Sequence, residues 1–342
     1  MSAKNPHADV LERFARGRVA VIGDMMLDVY LWGNVNRISP EAPVPVVGIC
    51  RQSCCLGGAA NVIRNIALLG AEVHAFGICG KDEAGLEMRR KFGELGITAD
   101  GLVGDASRRT TEKRRIIAGG QQLLREDFED TAPAAERIRR ELVDRIVALI
   151  RAGGIDAVIF EDYAKGVLDA WMLEEIVSEA RKKRLFSALD PKPGNLRPVK
   201  GLGVIKPNRH EAFAMAGITD ADVPADDPAR DPRLCEVAAK LRSEWVPQQL
   251  MISLAAQGLA LYLPGDEHAK VIPTRAREVF DVSGAGDTVT GTYTLALISG
   301  ASPEEAAEIA NLAAGVVVGK VGTAPITYNE LKAAALAAAE EK

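Results

Sequence analysis

Late in the chain, Asp281-Val282-Ser283-Gly284-Ala285-Gly286-Asp287-Thr288 runs directly into a helical pattern at 287–298. Gly284, Ala285 and Gly286 carry no bulky side chain, so successive backbone N–H groups can point at one anion. The helix N-terminus adds partial positive charge at the same place. Beside such an anion hole, Asp287 can accept a proton from an attacking hydroxyl while the hole holds charge on a transferred phosphoryl group. A tight turn with an aspartate cap would also use Gly-x-Gly. The whole octapeptide at a loop-to-helix junction favours the chemical reading.

Two shorter patterns have compatible chemistry. Gly57-Gly58-Ala59-Ala60-Asn61 opens a helical pattern at 59–69. The glycines permit close approach of a ligand, and Asn61 offers a donor and an acceptor to sugar hydroxyls. An ordinary helix start would look the same. Asn208-Arg209-His210-Glu211 follows a strand and sets an amide and a carboxylate on one helical face. Such a pair can organise nucleotide phosphates and the waters of a Mg²⁺ ion, or can simply cap the helix.

The elements that must carry these residues alternate. Val19-Ala20-Val21-Ile22 ends at Gly23-Asp24, Ala157-Val158-Ile159-Phe160 at Glu161-Asp162, and Leu185-Phe186-Ser187-Ala188-Leu189 at Asp190. Gly203-Val204-Ile205 and Leu250-Met251-Ile252-Ser253-Leu254 are further runs of this kind. Helical patterns at 59–69, 134–150, 171–183 and 287–298 lie between or after them. Strands alternating with helices predict an α/β fold with a mostly parallel sheet sandwiched by helices. Ligands of such sheets bind beyond the carboxyl ends of the strands, where Asp24, Asp162, Asp190 and Asn208 fall.

Segments 29–50 and 110–126 break the alternation. The second has Gly119-Gly120 between two β-prone runs, a hairpin signal. Both read as a small separate β-sheet covering the site as a lid. Residues 220–232 read as a polar, proline-rich loop, and the alanine-rich 328–342 as a surface helix.

Composition narrows the class. A net charge of −5 and 5% aromatic residues argue against a general nucleic-acid binder. No apolar run reaches membrane-spanning length, and residues 1–18 lack a signal-peptide core. The five cysteines are odd in number and form no CxxC, which fits reduced thiols in the cytoplasm rather than disulfides or zinc.

In order and spacing, the three motifs resemble the PfkB (ribokinase-type) carbohydrate kinases, over nearly the whole chain. The resemblance implies one ribokinase-like kinase domain over 1–342, with a β-lid, Mg·ATP as donor and Asp287 as general base. It also implies Gly284, Ala285 and Gly286 as the anion hole, and a nucleotide and Mg²⁺ region at Asn208, Ser253, Gly258, Asp281 and Glu211, the last through water. A monovalent cation at the anion hole is left open. One departure stands out: a Thr-x-Gly-x-x-Gly turn common in the family reads Ser253-Leu254-Ala255-Ala256-Gln257-Gly258 here, without the first glycine.

A finer resemblance is to the heptose-7-phosphate kinases of lipopolysaccharide-core (ADP-heptose) biosynthesis. It rests on Arg37-Ile38-Ser39-Pro40-Glu41-Ala42-Pro43-Val44-Pro45-Val46, Gln121-Gln122-Leu123-Leu124-Arg125, Asp162-Tyr163-Ala164-Lys165-Gly166, Asp190-Pro191-Lys192 and the segment 311–323. It implies phosphorylation of the anomeric hydroxyl of D-glycero-β-D-manno-heptose 7-phosphate to the 1,7-bisphosphate. A phosphorylated substrate needs cations remote from Asp287, and Arg37, Lys113, Arg115 and Lys165 are candidates, each otherwise a solvated charge, while Lys192, after a strand end beside Pro191, is expected near the transferred phosphate or the substrate. Asp24, with Gly57, Gly58 and Asn61, is the candidate for sugar hydroxyls. None of the four histidines forms the His-x-Gly-His motif of a fused adenylyltransferase, so a kinase without that domain is expected. Exposed lid edges predict a homodimer. The alternatives are a kinase of another sugar phosphate, such as fructose 6-phosphate, and a nucleotide-binding regulator without turnover.

Overall fold

Apolar runs bounded by glycine or acid form the strands of the computed structural model, which describes residues 7–220, 225–275 and 278–340. In chain order these are β1 Arg18–Gly23, β2 Met25–Ile38, β3 Pro45–Gly58, β4 Glu72–Gly80, β5 Thr98–Asp105, β6 Thr111–Ala118 and β7 Gln121–Phe128. They continue with β8 Ala157–Glu161, β9 Phe186–Asp190, β10 Val204–Ile205, β11 Gln249–Ser253, β12 Leu259–Tyr262 and β13 Lys270–Ile272. Nine of them form one sheet in the order β13-β12-β11-β10-β9-β8-β1-β4-β5. It is parallel from β5 to β11, and β12 and β13 add an antiparallel edge.

Side chains alternate across this sheet, which is buried on both faces. Val19, Val21 and Ile159 face one core, with helices Ala59–Leu68, Ala285–Ile298 and Pro303–Val318. Ala20, Ile22, Val158 and Phe160 face the other, with Glu136–Arg151, Ala170–Lys182, Arg209–Ala216 and Pro232–Trp245. Each such large side chain contributes about 1.5–3 kcal/mol of transfer free energy. Local signals start and stop the helices. Asp231 accepts the N–H groups of Arg233 and Leu234 in front of Pro232, and Ser302 accepts that of Glu305 in front of Pro303–Val318. Gly217 ends Arg209–Ala216 in the left-handed region at φ 63°.

The sequence patterns identify β1, β8, β9, β10 and β11 but not β4, β5, β12 or β13. In β5, Thr98-Ala99-Asp100-Gly101-Leu102-Val103-Gly104-Asp105 is interrupted by glycine and acid, as an edge strand tolerates. The helix Tyr328–Glu340 buries Leu331 and Ala335, so it docks on the core rather than lying loose on the surface. Parts of three expected segments, at 1–6, 221–224 and 341–342, lie outside the described residues.

The remaining strands form a second sheet in the order β3-β2-β6-β7. The β2–β6 pair is parallel and the other two pairs are antiparallel, so the sheet is mixed. Gly119 and Gly120, at φ 60° and 78°, make the turn between β6 and β7. The strands are longer than segments 29–50 and 110–126: β2 starts at Met25 and β3 runs to Gly58. Met25, Leu27 and Val29 root the sheet in the core, while Val35, Ile38, Val44 and Ile49 lie exposed toward the far end.

The departure at Ala255 has a backbone consequence. Its φ of 51° is left-handed, where a Cβ costs about 1–2 kcal/mol. The chain turns here so that Leu254 N–H reaches the Gly258 carbonyl at 2.8 Å. Ala255→Gly should therefore raise the stability by roughly 1 kcal/mol, read by thermal or urea denaturation. A destabilised variant would show that the alanine side chain contributes more than the strain costs.

Candidate active site

The octapeptide forms a loop feeding the helix Ala285–Ile298, and Gly284 is its N-cap at φ 80°. A Cβ on Gly284 would stand 2.7 Å from Asn61 Nδ2, so both backbone angle and space require glycine. Asp281 fixes the loop: its Oδ1 accepts the Ser283 N–H at 2.9 Å and its Oδ2 the Gly322 N–H at 3.0 Å. It thereby ties the glycine-rich loop to the segment carrying Thr323. Thr288 Oγ1 donates to the Gly284 carbonyl at 2.9 Å. A Cβ on Gly286 would have Lys206 Nζ at 3.5 Å as its nearest neighbour, so the backbone here is open and faces a cation.

Asp287 stands in the first turn of this helix and is 7% exposed. Asn61 Nδ2 donates to its Oδ2 at 2.8 Å, and the Tyr163 hydroxyl donates to its Oδ1 at 2.5 Å. Burial pushes its carboxyl above the usual range, while these two donors and Lys206 pull it back toward ionisation. Thus Asn61 meets the aspartate itself.

Beneath the helix terminus, Glu161, Asp190 and Lys206 occupy neighbouring ends of β8, β9 and β10. Strand alternation puts them on one face with Ile159, Ala188 and Val204. Lys206 Nζ lies 2.8 Å from Asp190 Oδ2 and is 4% exposed. Asp190 is raised to about 6, first by burial, with Lys206 opposing. Glu161 is fully buried and neither of its oxygens has a hydrogen-bond partner. An unpaired buried carboxylate is too costly to stay ionised, and burial and the nearby acids push Glu161 well above its ordinary value.

The residues predicted for sugar binding divide. Asp24 is 1% exposed, and its oxygens accept the N–H groups of Tyr163 (2.8 Å), Lys165 (3.1 Å) and Val167 (3.3 Å). It holds a loop instead of presenting free oxygens to a sugar. Asp28 is the acid that stands at the site. It accepts from Arg115 Nη1 at 2.5 Å and Thr323 Oγ1 at 3.2 Å, and its charge is felt at Asp287. A Cβ on Gly57 would collide with Asp28 Oδ2, and one on Gly58 would lie 2.8 Å from the Asp24 carbonyl. These glycines let β3 pass over the acids. The sequence signal for Asp28 was an acid inside the apolar run Met25 to Tyr30.

Lys113, Arg115, Lys165 and Lys192 are already paired with carboxylates. Lys113 reaches Asp127 at 3.1 Å and Glu129 at 3.7 Å, and Lys165 reaches Glu129 at 2.7 Å. Lys192 reaches Glu211 at 3.2 Å. Arg37 lies exposed toward the far end of β2, nine residues past Asp28. Asn208 and Glu211 form a reciprocal capping box, with Asn208 N–H on Glu211 Oε2 at 3.0 Å. Ser253 is bridged to Asn208, and a Cβ on Gly258 would strike the Ile272 carbonyl. Among the described residues no group of three or more His, Cys, Asp or Glu forms a metal cage, and no helix is long and apolar enough to cross a membrane. All five cysteines are free.

The state of Glu161 is testable. The folded chain keeps a proton that the unfolded chain releases above about pH 4.3, so stability falls as pH rises from there toward the folded value. Glu161→Gln keeps the shape without that loss. Its melting temperature should exceed that of the wild type at pH 8, with the gap closing toward pH 5. Parallel pH–stability curves would mean that Glu161 is not protonated in the folded chain.

Comparison with known proteins agrees with this geometry. The pfkB family carbohydrate kinase model matches residues 16–329. Among curated relatives, the "Bifunctional protein HldE" of Desulfatibacillum aliphaticivorans is 42% identical over 335 residues, covering 97% of this chain and 66% of that protein. The protein of the same name from Geobacter sulfurreducens is 40% identical over 311 residues, covering 91% and 61%. The chain thus spans less than two thirds of the length of these relatives. Escherichia coli phosphofructokinase-2, solved with potassium, superposes with a TM-score of 0.71 at 17% identity, covering 95% of this chain and 99% of that one. Arabidopsis thaliana ribokinase, solved with ribose and ATP, superposes with a TM-score of 0.68 at 17% identity, covering 93% and 98%. A nine-stranded α/β sheet with a small second sheet, a glycine-rich loop at a helix N-terminus and a family match across almost all of the chain lead to one conclusion: the chain belongs to the pfkB family of carbohydrate kinases, and it is an ATP-dependent sugar kinase.

Proposed function

We propose that this kinase phosphorylates the anomeric (C1) hydroxyl of D-glycero-β-D-manno-heptose 7-phosphate, giving the 1,7-bisphosphate. The observation that carries the chemistry is Asp287, buried at a helix N-terminus between two donors and beside the open Gly286 backbone above Lys206. The choice of sugar is supported by the resemblance of the segments around Arg37, Gln121, Tyr163 and Asp190 to heptose-7-phosphate kinases.

In this reading Asp287 takes the proton of the anomeric hydroxyl as the oxygen attacks the γ-phosphorus of ATP. The N–H groups at 284–286 and the helix terminus hold the charge that develops on the transferred group. Lys206 adds a cation below them that Asp190 keeps in place. Asp28 accepts hydroxyls of the sugar ring. Lys113, Arg115 and Lys165 exchange carboxylate partners for the 7-phosphate. Arg109, which lines one small cavity with Asp24 and Lys165, is a further candidate. The second sheet acts as a lid that excludes water from ATP.

The acid set fits a magnesium ion that keeps most of its waters. Glu211 is oriented by Asn208 and Lys192 and would hold Mg²⁺ through water, where the ion offsets phosphate charge. A monovalent cation beside the anion hole is a further candidate, given the potassium in the phosphofructokinase-2 structure.

The first test is ADP release with Mg·ATP against heptose 7-phosphate, fructose 6-phosphate, ribose and no sugar, for wild type and Asp287→Asn. Turnover should be strongest with heptose 7-phosphate, and Asp287→Asn should lower it by roughly three or more powers of ten with folding intact. Preference for another sugar would sink the substrate assignment alone. Near-normal turnover of the variant would remove Asp287 from the role of base.

We also infer a homodimer formed through the second sheet. Its far end exposes Val35, Ile38, Val44 and Ile49, and β7 exposes Leu123 and Leu124. Such a set along strand edges invites pairing. Sedimentation of wild type should give a dimer and of Ile38→Asp a monomer; an Ile38→Asp dimer of unchanged affinity would reject this face.

A further inference from the structure

We propose that Tyr163, mounted on Asp24, is a positioning residue for the base: its hydroxyl fixes the Asp287 carboxylate for the incoming sugar hydroxyl. The inference rests on the reading of Asp287 as base and adds the residues that aim it.

The geometry has two halves. At the site, Asp287 is held by one donor on each oxygen, from two unrelated elements. Asn61 comes from the helix Ala59–Leu68, and Tyr163 from the loop after β8. Two donors on opposite oxygens fix the plane of the carboxylate. Each oxygen keeps a second lone pair for a substrate hydroxyl. Without Tyr163, Oδ1 would have no protein donor among the described residues.

Away from the site, the loop that carries Tyr163 is tied down more firmly than a surface loop. The Tyr163, Lys165 and Val167 N–H groups converge on the buried Asp24 carboxylate. Ala164 N–H reaches Asp162 Oδ1 at 2.9 Å. Ala164 itself takes φ 55° and Gly166 φ 79°, and a Cβ on Gly166 would strike the Ala132 carbonyl. A non-glycine residue persists in the left-handed region only where its surroundings over-determine it. Asp24 supplies that constraint, so an acid at the end of β1 sets the place of a hydroxyl on Asp287.

The donor also bears on proton affinity. Lys206 after β10 and Arg64 on the helix Ala59–Leu68 favour the ionised base, Asp28 on β2 and Asp190 on β9 oppose it, and Glu161 on β8, which holds its proton, adds no charge. The Tyr163 bond works with the cations. Its loss leaves Asp287 easier to protonate, so the acid limb of kcat/KM must move upward.

The experiment compares Tyr163→Phe, Asp24→Asn and Asp287→Asn as full-length folded proteins, with melting curves as the folding control. It measures ADP release from pH 5 to 9 with the best sugar of the substrate panel. A hydrogen bond to a charged group is worth about 1.5–3 kcal/mol, so Tyr163→Phe should lower kcat about 10- to 100-fold at pH 7. Its KM should stay nearly unchanged, and its acid limb should lie above that of wild type. Asp24→Asn should shift the limb the same way, because it loosens the mount. An inactive Asp287→Asn together with a wild-type acid limb in Tyr163→Phe would overturn the role of Tyr163 and leave the base in place. A rise in KM alone in Tyr163→Phe would make the tyrosine a substrate contact and likewise overturn it. An active Asp287→Asn would remove the base and this inference together.

Discussion

A buried carboxylate keeps its charge only if its surroundings stabilise it, and the rest of the site is arranged around that constraint on Asp287. The helix Ala285–Ile298 supplies positive potential at its N-terminus, where Asp287 sits in the first turn. Asn61 and Tyr163 each donate to one of its oxygens, and Lys206 supplies a cation from the sheet below. Against these act desolvation and the negative charge of Asp28. The balance leaves Asp287 above the ordinary carboxylate range.

The same constraint explains the neighbours. Three strand ends deliver Glu161, Asp190 and Lys206 to one face, with one cation among two acids. Asp190 is paired with Lys206 and Glu161 has no partner, so the proton in this group resides on Glu161. Keeping one acid neutral limits the negative charge around Asp287. Asp281 has a mechanical part: its two oxygens lock Ser283 and Gly322, and so join the glycine-rich loop to the segment carrying Thr323.

Thr323 also joins the two sheets. It donates to Asp28, and it exchanges hydrogen bonds with the Tyr30 hydroxyl, both residues of β2. Arg64 fastens the Thr323 carbonyl to Asn61. The second sheet and Asn61, which donates to Asp287, thus belong to one buried hydrogen-bond network.

The sequence by itself determined the α/β alternation, the principal strands and the loop-to-helix junction carrying Asp287, because period, glycine placement and capping are local properties. It also determined that acids stand at strand ends: Asp24, Asp162 and Asp190 are there. It could not tell which of those acids faces a ligand and which holds a loop. Asp24 and Asp28 are four residues apart, yet Asp24 meets three backbone N–H groups from a loop some 140 residues later, and Asp28 meets Arg115 and Thr323. Tyr163 and Glu161 stood within recognised segments without a role of their own, Lys206 had no motif, and the place of Arg37 toward the far end of the second sheet was set by the length of β2. A side chain's role depends on which distant donors and charges reach it, and only the assembly of β1, β8, β9 and β10 side by side, with the helix Ala285–Ile298 at their carboxyl ends, brings those groups together.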